Sequence, residues 1–378
     1  MSIIKKIIPK SLHKPLRQML KFLYPKKNIA TWCLDEVDIS SDVIKIHGWA
    51  LVTGSKPDKY TFAVNGISFE TVDYPTTRED IANILWDVPD SINSGFFCQS
   101  QINKEEVFAN GYATFSFINK QNKKPLDQFK NYYCPDLLKE KEFPVPDADN
   151  RIRVHGSKAE LPFILEGFTN YIKIKKALKK YLGKDLSDFR RILDWGCGCG
   201  RLTRYFRYLD SVSITGVDID EDNISWCSKN LPFGNFFGVP LLPPMSLPDL
   251  GFDLLIGVSI FTHLKEKVQF LWLEELWRIS QDDAVLLMTI HGKEALTWSN
   301  VSPFRLLNLK LKGIMDAGAN IDLKEIMDES DYYRNIYHHH RYIRKYWSKY
   351  FDILEIVPAY LGNIQDLVIM RKRKIKKT

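Results

Sequence analysis

The sequence predicts an α/β protein: a doubly wound, mainly parallel sheet that closes in a terminal antiparallel hairpin, preceded by a small β-rich, sandwich-like domain. Three observations predict it. Short β-branched and aromatic runs fill residues 30–135, and strand-like runs alternate with helix-like stretches after residue 151. Gly196, Gly198 and Gly200 stand two apart at a strand-to-helix seam, in "RRILDWGCGCGRLTRYF", residues 190–206. Alternating strands and helices favour a parallel sheet, and clustered glycines allow positive φ and close backbone approach.

The N-terminal arm, residues 1–29, mixes Ile3, Ile4, Ile7, Ile8, Leu16 and Leu20 with lysines, and Pro9 and Pro15 break it. Residues 1–27 carry eight Lys/Arg and no acid, which suits either a solvated lead-in or peripheral contact with an anionic membrane. Residues 371–378 carry six more cations, so the net +7 of the chain conceals a body of 39 basic and 46 acidic residues. A body at −7 argues against nucleic acid as a partner. No apolar run approaches the about 20 residues that span a bilayer. Lysines interrupt the one N-terminal stretch that could pass for a signal peptide. The six cysteines form no regular framework and read as reduced thiols, so a cytoplasmic location is expected.

In 30–135, "VIKIHGWALV", "KYTFAVNGISFETV", "GFFCQSQI" and "GYATFSFIN" read as strands of an antiparallel sandwich. The stretch "KPDKYTFAVNGISFETVDYPTTREDI" resembles accessory β-domains joined to bacterial glycan-modifying enzymes. Residues 136–150 read as a linker, with Pro144 and Pro146 among charges. Residues 151–372 form the second domain, with a helix over 160–182 and strands near 191–194, 212–218, 252–258 and 284–290. The runs "FDILEIVP" and "QDLVIMR" pair as the terminal hairpin, and 373–378 is a basic tail.

A glycine turn after the first strand of a Rossmann-like sheet presents backbone N–H groups to a nucleotide or carboxylate. Asp218 ends the second strand, "SITGVDID", where an acid can accept both hydroxyls of a ribose; its bland reading is a helix N-cap. The register is GxGxG rather than GxGxxG, and Asp194 would repel a pyrophosphate, so a ligand with a cationic amino-acid moiety fits better than a dinucleotide.

At these residues the chain resembles class I S-adenosylmethionine-dependent methyltransferases, in particular members associated with bacterial surface-polysaccharide biosynthesis. "ILDWGCGCGR" is similar to their first motif and "GVDID" to their second; "LPPMSLPDLGFDLLIGVSIFTHL" resembles their adenine loop and fourth strand. The resemblance implies S-adenosylmethionine as cofactor, held by Asp194, Gly196, Cys197, Gly198, Gly200, Arg201, Asp218, Ile219, Pro244, Met245 and Ser259. It implies an acceptor that is a sugar of a cell-surface glycan or its lipid-linked precursor. A small metabolite, a lipid, or a non-catalytic scaffold role stays open, as does the oligomeric state.

An acceptor hydroxyl gains from a general base, most often histidine. His263 follows the fourth strand and His291 ends the fifth, where strand carboxyl ends face the ligand crevice. His338 opens "YHHHRYIRKYW" and is the third candidate; each could equally be a packing or capping residue. Three consecutive histidines diverge, so no metal site is expected. Cys197 and Cys199 read as small residues required by the turn. Arg204 and Arg207 read as a solvated face, and Trp272 and Trp277 as helix core.

Overall fold

The computed structural model describes residues 30–40, 42–85, 88–122, 125–135, 144–298, 303–320, 332–362 and 364–373. The expected arm at 1–29, residues 136–143 of the expected linker and residues 374–378 of the tail lie outside them. The chain divides into two compact units, Met1–Asn131 and Tyr132–Thr378.

The first unit is built from β1 (Ala30–Ser40), β2 (Val43–Val52), β3 (Tyr60–Val64), β4 (Ile67–Ser68), β5 (Thr71–Thr77), β6 (Asn93–Gln101) and β7 (Ala113–Asn119). β8 (Pro125–Tyr133) runs across the division. Two short helices, α1 (Glu79–Ile84) and α2 (Lys104–Val107), interrupt the strands. The sheets are β1-β2-β6-β5 and β4-β3-β7-β8. Alternate residues of β2 are buried, as a strand with one face on a core requires. Trp32 and Phe96 of one sheet meet Phe62 and Phe117 of the other, with Phe62 and Phe96 stacked at 4.0 Å. The aromatic interlayer makes this a sandwich.

The second unit opens with α3 (Ala148–His155) and α4 (Glu160–Leu182). Asp147 caps α3, accepting from the Asp149 and Asn150 amides, so residues 148–150 are helix where a linker was expected. The sheet then builds through β9 (Arg191–Trp195), β10 (Ser213–Asp218), α5 (Glu221–Asn230), β11 (Gly234–Gly238), β12 (Phe252–Gly257), α6 (Glu266–Ile279) and β13 (Ser280–His291). An insertion follows: α7 (Pro303–Lys312), β14 (Ile314–Ala319), β15 (Arg334–His338) and α8 (His340–Tyr346). The chain ends in β16 (Phe351–Leu361) and β17 (Gln365–Lys372).

β11-β10-β9-β12-β13 run parallel; β17 pairs antiparallel with β13 and with β16. The order reverses at β9, which places a crevice outside the carboxyl ends of β9, β10 and β12. β11, β14 and β15 were not read from the sequence. β11 is five residues, "GNFFG", with two glycines and little burial, and so carries almost no pattern.

One element departs from expectation in kind. The run after the glycine turn is a 3₁₀ segment, Thr203–Tyr208, and not an α-helix. Two of its side chains are tied to distant partners. Thr203 Oγ1 donates to Asp194 Oδ2 at 2.5 Å, and Arg204 is buried, its Nη2 donating to the Pro144 carbonyl. Arg204 is therefore no solvated residue, whereas Arg207 is exposed.

Candidate functional site

An open cleft lies at the crevice, where doubly wound sheets bind small molecules. Its residues come from the turn after β9, the ends of β10, β11 and β12, α3, α5, α6 and the two residues before β15. Gly196, Gly198 and Arg201 line it, as do Asp218, Ile219 and Ser259. Arg153, Asn223, Trp272, Tyr332 and Tyr333 line it too, and no sequence motif marks them.

The turn is held by its partner strand. The Gly196 and Cys197 amides donate to the Val217 carbonyl at 2.8 and 3.0 Å, and the Gly198 amide donates to Asp218 Oδ2 at 2.7 Å. Gly196 and Gly198 have φ of 75° and 53°, where other residues are strained. A Cβ would also strike Ile260 at the first and Val154 at the second, within 2.0 and 2.7 Å. The glycines thus let two of the chain's own apolar side chains close onto the turn.

Asp218 borders the cleft with one oxygen on the Gly198 amide and the other on the Asp220 amide at 2.9 Å. Asp220, not Asp218, caps α5, accepting from Asp222 and Asn223. The bland reading of Asp218 as a cap is thereby corrected. Burial pushes the Asp218 carboxyl up to about 6. Asp194 is buried behind the turn and does not line the cleft. Burial pushes its carboxyl up to about 6 as well, against the Thr203 hydrogen bond.

Arg201 is held at the cleft by Glu166 Oε1 at 3.1 Å, and His155 Nε2 meets the other Glu166 oxygen at 2.9 Å. Arg201 and His155 outweigh the cost of burial and keep the Glu166 carboxyl down at about 2. The remaining cofactor candidates lie off the cleft wall. Cys197 packs against Ile224, Cys227 and Phe236, and Gly200 sits where a Cβ would meet Leu231. Met245 is core, its amide donating to Glu275 at 2.7 Å, and Pro244 is exposed. Trp272, read as core, is both: it packs against Trp195 at 5.1 Å between ring centroids and reaches the cleft.

The three histidines form one neighbourhood behind the cleft. Tyr333 lines the cleft and stacks on His263 at 4.0 Å, and His291 meets His263 edge-on at 5.9 Å. His263 Nδ1 donates to the Arg334 carbonyl at 2.8 Å, which fixes the tautomer and leaves Nε2 as the basic nitrogen. His338 is deep in the core, donating from Nε2 to Gln269 Oε1 at 3.0 Å. Burial pushes all three down, His263 to about 4 and His291 and His338 to about 3. They are neutral imidazoles at ordinary pH. The run 338–340 diverges: His339 caps α8 and His340 pairs with Asp366 at 2.6 Å. Ser259, at φ 63°, takes a hydrogen bond from Gln365 at the cleft edge.

Residues 192–283 match the family model described as a methyltransferase domain. Over those residues the chain is similar to a methyltransferase domain. Among solved structures, the PH0226 protein of Pyrococcus horikoshii aligns at 18% identity over 55% of this chain and 91% of its own, with a TM-score of 0.38. A Methanosarcina mazei S-adenosylmethionine-dependent methyltransferase aligns at 18% identity over 53% and 98%, also at 0.38. The Burkholderia thailandensis 1,6-didemethyltoxoflavin-N1-methyltransferase aligns at 14% identity over 55% and 81%, at 0.37. No curated protein matches the chain. The cleft has what S-adenosylmethionine would need: an acid at the end of β10 that could meet ribose hydroxyls, apolar walls from Ile219, Val239 and Leu264, and Arg201 at the turn, which could meet a carboxylate.

Proposed function

We propose that the methyltransferase transfers a methyl group to a hydroxyl of a sugar, on a cell-surface glycan or its lipid-linked precursor. The work would be done in the cytoplasm at the inner face of the membrane. The observation that carries the reading is the pairing of Tyr333 on the cleft wall with the neutral imidazole of His263 behind it. Tyr332 and Tyr333 offer aromatic surface for a sugar ring, and the sandwich domain supports a polymeric acceptor.

S-Adenosylmethionine, when bound, supplies an electrophilic methyl on a sulfonium. Asp218 would accept the ribose hydroxyls, the turn amides and Arg201 would hold the amino-acid end, and Ile219, Val239 and Leu264 would enclose the adenine. Alignment of acceptor and methyl group in such a cleft is worth up to about 7–11 kcal/mol. The acceptor hydroxyl would become strongly acidic as its oxygen bonds the methyl carbon and the carbon–sulfur bond breaks, with S-adenosylhomocysteine leaving, so a weak base would suffice. His263 does not itself line the cleft, so its Nε2 would take that proton through an intervening water, while burial keeps the imidazole free of a charge that would repel the sulfonium.

The test is incubation with methyl-labelled S-adenosylmethionine and fractionated cell-surface material. Label should enter carbohydrate as an ether that resists mild alkali. Alkali-labile label, or label confined to small molecules or to lipid without carbohydrate, would overturn the sugar-hydroxyl reading.

A further inference from the structure

A second concavity lies apart from the cleft, where α7 meets α8. It is lined by Leu311, Lys312, Arg341, Tyr342, Lys345 and Tyr346, with Ile314 and Glu266 completing it. Two features stand out. Leu311 is 70% exposed and Leu307, one turn earlier on the same helix face, is 51% exposed. Leu311 shares the concavity with the exposed cations Lys312, Arg341 and Lys345; Lys310 beside it in the chain is exposed too, and exposed Lys349 lies 5.7 Å from the Tyr346 ring.

The surface is rigidly built. Leu309 buries the opposite face of α7 against Ala295, Met315 and Tyr337. Arg341 donates to the Lys310 and Leu311 carbonyls, satisfying the end of α7, and Gly313 takes the φ of 84° that turns the chain. Tyr342 and Tyr346 pack at 4.5 Å, and Lys345 lies over the Tyr346 ring at 5.0 Å. Tyr342 donates to Glu266, so the acid lining the concavity is already engaged.

We propose that this face seats the protein on an anionic lipid surface, with Leu307 and Leu311 entering the headgroup boundary and Lys312, Arg341 and Lys345 on the lipid phosphates. Exposed leucines beside lysines, arginine and tyrosine are the composition of an interfacial helix. A soluble phosphate ligand would account for the cations but would leave the leucines in water. The inference stands independently of the acceptor proposed above.

The test uses the full chain, with residues 1–29 intact, in sedimentation with phosphatidylcholine vesicles containing none or about one-third phosphatidylglycerol. Wild type should bind only the anionic vesicles. Lys312→Ala/Lys345→Ala should weaken partitioning about thirtyfold, at about 1 kcal/mol per cation. Leu307→Ser/Leu311→Ser should weaken it at least about tenfold with its charge intact. Melting temperature and S-adenosylhomocysteine affinity should not move in either variant, since every substituted side chain is exposed. Wild-type binding by both pairs, or no binding by wild type, overturns the proposal. Loss in the lysine pair alone, matched by lost affinity for inorganic pyrophosphate, overturns it in favour of a soluble phosphate site.

Discussion

Asp218 does two things with one carboxylate, and the consequences can be separated by measurement. Its oxygens tie the Gly198 and Asp220 amides together and also face the cleft. Asp218→Ala should weaken S-adenosylhomocysteine binding by about 2–4 kcal/mol. It should also lower the melting temperature without ligand, because two amides lose their acceptor. Calorimetry and thermal denaturation check the two effects, and unchanged affinity would remove Asp218 from the cofactor site. For the base, His263→Ala should cut turnover about 10²–10⁴-fold while leaving S-adenosylhomocysteine affinity near wild type. Equal turnover would mean that alignment alone suffices.

The buried titrating groups set a pH dependence whose sign needs both kinds of group. His263, His291 and His338 are pushed down to about 4, 3 and 3. Stability from keeping them neutral is therefore present above the unfolded value near 6.5 and lost as pH falls below it. Each costs about 1.4 kcal/mol per pH unit there. Asp194 and Asp218, pushed up to about 6, act oppositely: stability returns as pH falls through 6 toward their unfolded values. Between pH 7.5 and 5.5 the three histidines lose about 4 kcal/mol and the two carboxyls return under about 2. The unliganded protein should melt lower at pH 5.5, and His338→Gln should flatten that slope. S-Adenosylhomocysteine affinity should also fall below about pH 6, as Asp218 takes up a proton and loses an acceptor.

At the scale of elements, the junction of β13, α8 and the terminal hairpin is tied by one buried acid. Asp366 accepts from His340 Nε2 at 2.6 Å and from the Ala359 amide at 2.8 Å. Gly292, just past β13, lies so close that a Cβ would come within 1.8 Å of Asp366 Oδ2. Gly292→Ala should therefore destabilise by about 1–3 kcal/mol, the range for overpacking, measured by urea denaturation. A drop of a few tenths would mean that the hairpin yields without breaking the ties to Asp366. Because Gln365 of the same hairpin reaches Ser259, cofactor affinity is the second readout.

At the scale of the molecule, the residues that line the cleft all belong to the unit Tyr132–Thr378. A chain beginning at residue 132 should bind S-adenosylhomocysteine with wild-type affinity by calorimetry. If the sandwich unit recognises a glycan, the same chain should lose methyl transfer to polymer and keep transfer to a short acceptor. Loss of cofactor binding in that chain would show that the sandwich is needed to complete the cleft.

What the sequence by itself determined is what local pattern encodes. β-Branched and aromatic residues in β2 marked a sandwich strand, and the run 191–195 followed by glycines marked the crevice. Asp218 was marked by its place at a strand end. These signals are short-range, because strand periodicity and left-handed turns are set by neighbouring residues. Only the tertiary structure decided the rest. Arg153, Asn223, Tyr332 and Tyr333 reach the cleft from segments up to 180 residues apart and carry no motif. Thr203 and Arg204 find partners at Asp194 and Pro144, and those contacts accompany 3₁₀ winding where periodicity suggested α-helix. His338 looked like a site residue by the pattern of the run it opens and is core by burial. Whether a polar side chain faces ligand, solvent or core depends on what packs over it, and distant segments supply that cover.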